Sequence, residues 1–247
     1  MRHPRATVKA VLFDLDDTLV DHTHSARAGL AAVQRRYRGL HHRPLRALEA
    51  IYSDLVEEFH SRVLQGLLTL DEARVARLRE FLTRAGERVS EEAIRDAAIA
   101  YRDAYHAASR PVPGAVPLLQ HLRSFVRIGV VTNHVTAEQQ DKLAVCGLAP
   151  LIDVLITSEE IGVAKPDPAI FEAALRRLGC DREAAVMVGD SWQADILGAH
   201  AAGIRAVWLN RFGLPCPDPA VATPIVALEP EVEVAARLLD GKISAGE

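Results

Sequence analysis

Short, continuous runs of apolar residues recur along the chain and predict β-strands. Five such runs lie at 8–15, 127–132, 152–157, 185–189 and 205–209. Runs of this length without polar interruptions indicate strands that are buried on both faces, which is typical of parallel sheets. We therefore predict a parallel sheet that is built from these five segments.

Segments with apolar residues at helical spacing separate the later strands. They lie at 115–124, 136–146, 167–178 and 193–202. Asp167 followed by Pro168 is typical of a helix start, and Gly179 marks the end of the same helix. Thr136 is expected to be the N-cap of the helix before it. Alternating strands and helices predict an α/β fold with a doubly wound parallel sheet and right-handed crossovers.

The region between the first and second predicted strands has a different pattern and no strand-like run. Apolar residues recur at helical spacing in about four segments, roughly 23–38, 45–65, 70–86 and 90–107. One such stripe consists of Leu48, Ile51, Tyr52, Leu55 and Phe59. Pro111, Pro113 and Gly114 mark the return to the core. We expect an all-helical insert at 21–111 and a core formed by 1–20 and 112–247.

Length and charge narrow the class of protein. A chain of 247 residues suits a core with a smaller insert. The net charge of −4 gives no reason to expect a nucleic-acid polymer as partner. The three cysteines are far apart and suggest neither a disulfide framework nor a zinc site. No signal peptide or membrane span is visible, so we expect a cytoplasmic protein without a membrane partner, as a monomer or homodimer.

Acidic residues follow the first apolar run. Because strand side chains alternate sides, Asp14 and Asp16 are expected to point the same way, about 7 Å apart. The carboxyl edge of a parallel sheet is where α/β proteins bind ligands. Two carboxylates at that edge repel each other, and a hard divalent cation such as Mg²⁺ would relieve the repulsion. A helix cap or a polar turn is the alternative interpretation.

Polar residues also end or follow later strands. Thr132 and Asn133 offer a hydroxyl and a backbone amide that can hold phosphate oxygens. Lys165 precedes Pro166, which restricts the chain, so its ammonium could neutralise a carboxylate and a phosphate. Asp190 follows the fourth predicted strand and can complete a cation site. Taken alone, Thr132 and Asn133 are better explained by an ordinary turn, and Lys165 by an exposed loop position.

Taken together and in this order, these residues resemble the haloacid dehalogenase (HAD) superfamily, in particular its phosphatases with a helical C1 cap. The similar positions are Asp14-x-Asp16-x-Thr18, then Thr132, then Lys165, then Gly189-Asp190 through Asp195. The likeness extends to KPDPAIFEAALRRLG and VGDSWQADILGAHAAGI, and it covers residues 8–20 and about 112–210. It implies a Rossmann-like catalytic core and a helical cap over the site.

The resemblance also implies an activity and a set of residue roles. It implies a Mg²⁺-dependent phosphomonoester hydrolase that acts on a small phosphorylated metabolite through an aspartyl-phosphate, of the nucleotidase or sugar-phosphate/phosphoglycolate phosphatase type. The implied catalytic residues are Asp14, Asp16, Thr132 and Lys165. Asp14 is the nucleophile, and Asp16 is first the acid and then the base. Thr132 and Lys165 bind the phosphate together with Asn133. The implied metal ligands are Asp14, the backbone carbonyl of Asp16, and Asp190, with support from Thr18, Ser191 and Asp195.

Three alternatives stay open. A 2-haloacid dehalogenase shares the nucleophile, but those enzymes usually replace the second aspartate of the first motif and bind no metal. A phosphoglucomutase-like isomerase shares the catalytic residues and differs in its cap and in the lifetime of its phospho-aspartate. A non-catalytic binding protein on the same fold is the alternative from another class.

Overall fold

The computed structural model describes residues 7–240, except for the side chains at positions 57, 60, 64 and 240. The two ends of the expected core, 1–6 and 241–247, therefore lie outside the described residues. The chain divides into two compact units, one up to Asp21 and from Pro111 onward, the other His22–Arg110. We expected these divisions after residue 20 and before residue 112.

The first unit contains a parallel sheet. Its strands are β1 (Ala10–Phe13), β2 (Arg127–Thr132), β3 (Val154–Thr157), β4 (Ala185–Gly189), β5 (Arg205–Leu209) and β6 (Thr223–Ile225). The spatial order is β3-β2-β1-β4-β5-β6, and every neighbouring pair is parallel. The predicted parallel sheet is confirmed. Strand order reverses between β1 and β4, which is the point at which doubly wound sheets bind ligands.

The second unit is helical throughout its regular elements. Its helices are α1 (His22–Arg36), α2 (Leu45–Leu64), α3 (Leu70–Arg84) and α4 (Glu91–Ala107), with a short 3₁₀ turn at Arg38–Leu40. The expected stripe on α2 is buried in the core of this unit, apart from Ile51, which is partly exposed. No helix in the described part of the chain is both long and apolar enough to span a bilayer.

The remaining helices belong to the sheet unit. They are α5 (Ala115–Leu122), α6 (Thr136–Val145), α7 (Ser158–Ile161), α8 (Pro168–Leu178), α9 (Gly198–Ala201) and α10 (Glu231–Asp240). Short 3₁₀ turns lie at Ala149–Leu151 and Arg182–Ala184. A π-helical segment, Trp192–Leu197, leads directly into α9, where the sequence predicted one α-helix over 193–202.

The helix starts only partly follow the expected capping. Asp167 caps α8, because its side chain accepts a hydrogen bond from the Ala169 amide at 2.9 Å. The prediction for Thr136 was wrong, since Thr136 is already inside α6 and Val135 occupies the capping position. The Thr136 hydroxyl instead lies 2.6 Å from the Thr157 hydroxyl at the end of β3.

Alternating side chains of the strands pack on opposite faces of the sheet. Val11 and Phe13 of β1 join one apolar cluster, and Ala10 and Leu12 join the other. The first cluster contains residues of α5 and α10, and the second contains residues of α8 and α9. Because both faces are covered, the strands need apolar residues at every position, which explains their continuous apolar runs.

Candidate active site

The predicted site residues gather at the carboxyl ends of the three central strands. Asp14 directly follows β1, Thr132 ends β2, and Asp190 directly follows β4. The Asp14 amide donates to the Val188 carbonyl at 2.9 Å, so this residue is still bonded to β4. Lys165 reaches the same edge from the segment between α7 and α8. Residues that are far apart in the chain thus share one edge of the sheet.

Lys165 is buried between two carboxylates. Its ammonium lies 2.5 Å from Asp14 Oδ1 and 2.6 Å from Asp195 Oδ1. The exposed fractions are 6% for Lys165, 7% for Asp14 and 0% for Asp195, so all three groups have lost most of their hydration. A buried ammonium needs such partners, because an unpaired buried charge is strongly unfavourable. Lys165 is therefore a buried, ion-paired residue of the site and not a surface lysine.

Burial and mutual repulsion shift the protonation of these groups. Burial raises the pKa of Asp14 well above its usual range, although the nearby Lys165 ammonium opposes that shift. Burial, and then the charges of Asp195 and Asp17, raise the pKa of Asp190 to about 7. Burial alone would lower the pKa of Lys165, but the charges of Asp14 and Asp195 outweigh it and raise that pKa. The site therefore has more negative charge than one lysine can neutralise.

Three carboxylates are close enough to share a cation. One oxygen from each of Asp14, Asp190 and Asp195 lies within 4.8 Å of the others. An all-oxygen set of this kind fits Mg²⁺, which prefers hard oxygen ligands. Asp195 already accepts from Lys165 and, at 3.0 Å, from the Ser191 amide, so each of its oxygens has a partner. The structure thus brings together the expected ligand side chains of Asp14 and Asp190.

Other contacts fix Asp190 and its loop. The Thr18 hydroxyl donates to Asp190 Oδ1 at 3.2 Å, and the Trp208 indole donates to the Asp190 carbonyl at 2.8 Å. Ser191 accepts from the Ala194 amide at 3.2 Å and so begins the π-helical segment. These bonds support the interpretation of Thr18 and Ser191 as residues that position the acidic side chains.

Gly189 allows Asp195 to approach the end of β4. A Cβ atom at position 189 would lie 2.3 Å from Asp195 Oδ2 and 2.5 Å from Asp195 Cβ. Such contacts are far closer than van der Waals distance, so any side chain at this position would displace Asp195 and with it the Lys165 ammonium. The glycine is a packing requirement of the site.

The segment after β1 does not continue as a regular strand through Asp16. β1 ends at Phe13, so strand alternation does not fix the direction of Asp16 relative to Asp14, and their separation of about 7 Å stays a prediction. In that segment Asp17 has a φ of 60°, a left-handed conformation that glycine adopts more readily. The Asp16 carboxylate contacts the Lys142 ammonium at 2.8 and 2.7 Å, whereas Asp14 contacts Lys165.

Asn133 holds the segment that carries Lys165. Its side-chain amide donates to the Lys165 carbonyl at 2.8 Å, and its side-chain oxygen accepts from the Lys165 amide at 2.7 Å. This pair of bonds connects the ends of β2 and of the lysine segment. The side chain of Asn133 is thus committed to that contact, and its expected role in phosphate binding depends on its backbone amide.

Two residues of α6 belong to the site and were missed by the sequence analysis. Gln139 donates to the Thr132 hydroxyl at 2.6 Å and to Asp16 Oδ2 at 3.3 Å, and Lys142 pairs with Asp16. Both are buried, with exposed fractions of 0% for Gln139 and 3% for Lys142. The available signal was a glutamine and a lysine one turn apart on the same face of α6 as the apolar Leu143.

Comparison with known proteins identifies related chains. A family model described as haloacid dehalogenase-like hydrolase matches residues 8–203. A glyceraldehyde 3-phosphate phosphatase from Methanothermobacter thermautotrophicus is 34% identical over 206 residues, which are 82% of this chain and 86% of that protein. A phosphoserine phosphatase from Thermus thermophilus is 33% identical over 234 residues, 86% of this chain and 92% of that protein.

A solved structure agrees with these sequence relatives. The magnesium-bound crystal structure of YfnB from Bacillus subtilis matches 93% of this chain and 99% of its own length. The TM-score is 0.72, and the two sequences are 25% identical. The similarity therefore extends over nearly the whole of both chains and is not confined to the short motifs at the strand ends.

Proposed function

This chain belongs to the haloacid dehalogenase-like hydrolases, and we propose that it hydrolyses small phosphate monoesters with Asp14 as the nucleophile. The observation that carries this proposal is the pairing of Asp14 with Lys165 beside Asp190, at the edge where strand order reverses. A carboxylate nucleophile and a phosphate dianion repel each other, and this arrangement supplies positive charge between them. Phosphoryl transfer depends mainly on such positioning and charge neutralisation.

The first step transfers the phosphoryl group to the protein. A carboxylate oxygen of Asp14 attacks phosphorus, the ester P–O bond breaks, and an aspartyl-phosphate forms. Asp16, in its protonated form, gives its proton to the departing alkoxide, which leaves as an alcohol. Lys165 and the Thr132 hydroxyl hold the oxygens of the transferring group, with the Asn133 backbone amide beside them.

The second step regenerates the nucleophile. Asp16, now a carboxylate, accepts a proton from a water molecule, and the resulting hydroxide oxygen attacks phosphorus. The bond between phosphorus and the Asp14 oxygen breaks, and inorganic phosphate leaves. Asp14 is again a carboxylate and Asp16 again carries a proton, so the residues return to their starting states after one water molecule is consumed.

A divalent cation fits the acidic cluster. We propose that Asp14, Asp190 and the backbone carbonyl of Asp16 hold Mg²⁺, with Thr18 and Asp195 orienting the ligands. When bound, the cation would neutralise charge on the phosphate and the carboxylates. This assignment is supported by the oxygens of Asp14, Asp190 and Asp195, which lie within 4.8 Å of one another. The pKa of Asp190 is raised first by burial and then by the charges of Asp195 and Asp17, and a bound cation would offset that cost of ionisation.

The helical unit is proposed to act as a cap that selects the substrate. It is inserted directly after the loop that carries Asp14 and Asp16, and its four helices enclose an apolar core of their own. The relatives named above are phosphatases for glyceraldehyde 3-phosphate and phosphoserine, both small phosphate esters. We therefore propose a small phosphorylated metabolite as substrate, with nucleotide monophosphates and sugar phosphates as further candidates.

A phosphate-release screen tests the proposed function. The panel contains glyceraldehyde 3-phosphate, phosphoserine, phosphoglycolate, glucose 6-phosphate, pyrimidine nucleoside monophosphates and p-nitrophenyl phosphate, each with Mg²⁺ and with EDTA. We expect Mg²⁺-dependent phosphate release from at least one alkyl ester. Chloride release from a 2-haloacid in EDTA would instead favour a dehalogenase, and conversion of a sugar phosphate without phosphate release would favour an isomerase. Inactivity on every compound would refute the proposal.

Mg²⁺ is expected to stabilise the protein through Asp190. At about 100 times its dissociation constant a ligand adds about 2.7 kcal/mol, which corresponds to a rise in Tm of about 5–10 °C for a chain of this size. We expect this rise for the wild type and its loss in Asp190→Asn, measured by thermal denaturation. In EDTA at about pH 8 the variant should be no less stable than the wild type, because burial raises the pKa of Asp190 in the folded protein to about 7. The cost of ionising Asp190 therefore builds up as the pH rises from its ordinary pKa to about 7, and it is fully present at pH 8.

The matched control for this prediction is Asp141→Asn. Asp141 lies on the exposed side of α6, and its replacement makes the same change of charge. This control should keep the full Mg²⁺-induced rise in Tm. An Asp190→Asn protein that responds to Mg²⁺ like the wild type would contradict the ligand assignment.

A further inference from the structure

Helix α6 buries two polar side chains that the two-step reaction above does not use. Gln139 and Lys142 lie one turn apart, and their exposed fractions are 0% and 3%. Burial of an amide and an ammonium is unfavourable unless both find partners. The Lys142 ammonium pairs with Asp16, and the amide nitrogen of Gln139 donates to Thr132, while the Gln139 side-chain oxygen has no hydrogen-bond partner among the described residues. Both helix residues thus lie next to the groups that would act on the leaving oxygen and the phosphate.

Lys142 contacts both oxygens of the Asp16 carboxylate. Its ammonium lies 2.8 Å from Oδ1 and 2.7 Å from Oδ2, so it contacts both oxygens of the same group. A carboxylate held through one oxygen can rotate about its terminal bond, whereas contact with both oxygens restricts the plane of the group. The Asp16 side chain remains 27% exposed, while that of Lys142 is only 2% exposed. Lys142 thus holds Asp16 from the protein side and leaves one side of it accessible.

Gln139 connects the same carboxylate to the phosphate-binding hydroxyl. Its amide nitrogen donates to Thr132 Oγ1 at 2.6 Å and to Asp16 Oδ2 at 3.3 Å. One side chain therefore fixes the distance between a residue that would hold the phosphate and the residue that would protonate the ester oxygen. Since these two groups must act on the same substrate, their relative position decides whether the proton is in reach.

Two lysines hold different carboxylates of the site. Lys165 contacts Asp14 and Asp195, and Lys142 contacts Asp16. The nucleophile and the acid are therefore held independently, by lysines from different parts of the chain. A change at Lys142 should disturb the acid while the nucleophile and its lysine keep their contacts, which makes the two functions separable by experiment.

We propose that Lys142, assisted by Gln139, is a positioning residue that aims Asp16 at the leaving-group oxygen. This inference rests on the proposed function, because it assumes that Asp16 protonates the leaving group. Lys142 itself touches Asp16 and acts through it. The role should be evident only when the leaving group needs a proton, since a weakly basic leaving group departs without one.

The test compares two kinds of ester. Alkyl phosphates release strongly basic alkoxides and need the acid, whereas p-nitrophenyl phosphate releases a weakly basic phenolate. For Lys142→Met we expect kcat/KM to fall about 10²-fold for the best alkyl substrate of the panel and to stay within about threefold for p-nitrophenyl phosphate. The ratio kcat/KM reports the steps up to cleavage of the ester bond, so slow hydrolysis of the aspartyl-phosphate does not obscure the comparison.

A double variant tests whether Lys142 acts through Asp16. In an Asp16→Asn protein the acid is already absent, so adding Lys142→Met should cause little further loss of kcat/KM for the alkyl ester. Gln140→Met, on the exposed side of the same helix, is the matched control and should behave like the wild type. If Lys142→Met does not fold, Gln139→Met replaces it, with a smaller loss that is still selective for the alkyl ester.

The possible results separate this inference from the proposed function. Equal losses for the two ester types in a folded variant, or independent losses in the double variant, would show that Lys142 has only a structural role. In those cases the wild type is still a phosphatase. A wild type that releases phosphate from neither ester type would refute the proposed function itself, and this inference with it.

Discussion

Asp14→Asn is expected to abolish phosphate release while the fold is retained. Asparagine has nearly the same shape as aspartate, but its amide cannot form the aspartyl-phosphate, so kcat should fall about 10⁴-fold or more. The fold should persist because Lys165 keeps Asp195 as a partner at 2.6 Å. Phosphate release from the best substrate of the panel measures the first effect, and thermal denaturation measures the second.

A labelling experiment makes the Asp14 prediction more specific. The wild type, quenched with acid after brief exposure to a ³²P-labelled substrate, should carry label that hydroxylamine removes, as expected of an acyl phosphate. Asp14→Asn should carry none, and Asp141→Asn should label like the wild type. Turnover by Asp14→Asn within about tenfold of the wild type would assign the nucleophile to another residue.

The sheet could be predicted because its physical cause is visible in the sequence. A parallel strand between two helix layers needs apolar side chains on both faces, and β4 meets this need with Met187 facing one cluster and Val188 facing the other. The same pattern occurs in β1, β2, β3 and β5. Five strands of the described sheet were therefore predictable from composition and run length alone.

β6 was not predictable in the same way. Its three residues, Thr223–Ile225, include Pro224, which cannot donate a ladder hydrogen bond and normally argues against a strand. β6 pairs only with β5 and forms the edge of the sheet, where the missing donor of Pro224 is tolerated. β6 forms because it pairs with β5, and the sequence of three residues does not show that pairing.

The residue types of the candidate site were visible in the sequence, but their contacts were not. Asp14 and Asp190 could be selected because each falls at the end of a predicted strand, whereas Lys165 was selected through the resemblance of its segment to the HAD pattern. The partner of Asp16 could not be selected, because Lys142 is 126 residues away and lies within a helix. A lysine on the buried face of an amphipathic helix does indicate a hidden acidic partner, although it does not indicate which one.

The other large effect is expected at Lys165, on both stability and activity. Lys165→Met leaves Asp14 and Asp195 buried without their ammonium partner, and breaking a buried ion pair in this way costs about 3–5 kcal/mol. The lost ammonium would also have neutralised the transferring phosphoryl group, and removal of one such group lowers kcat about 10²–10³-fold. Urea denaturation in EDTA and the phosphate-release assay measure the two losses.

A second substitution separates the two roles of Lys165. Lys165→Met/Asp195→Asn removes one of the two unpaired carboxylates, and the new asparagine can still accept from the Ser191 amide, as Asp195 does at 3.0 Å. We expect the double variant to regain part of the stability but none of the activity, because the phosphate still lacks its ammonium. Lys9→Met, at an exposed lysine, is the control for loss of charge. A single variant as stable as the wild type would mean that the carboxylates do not need Lys165 in the folded protein.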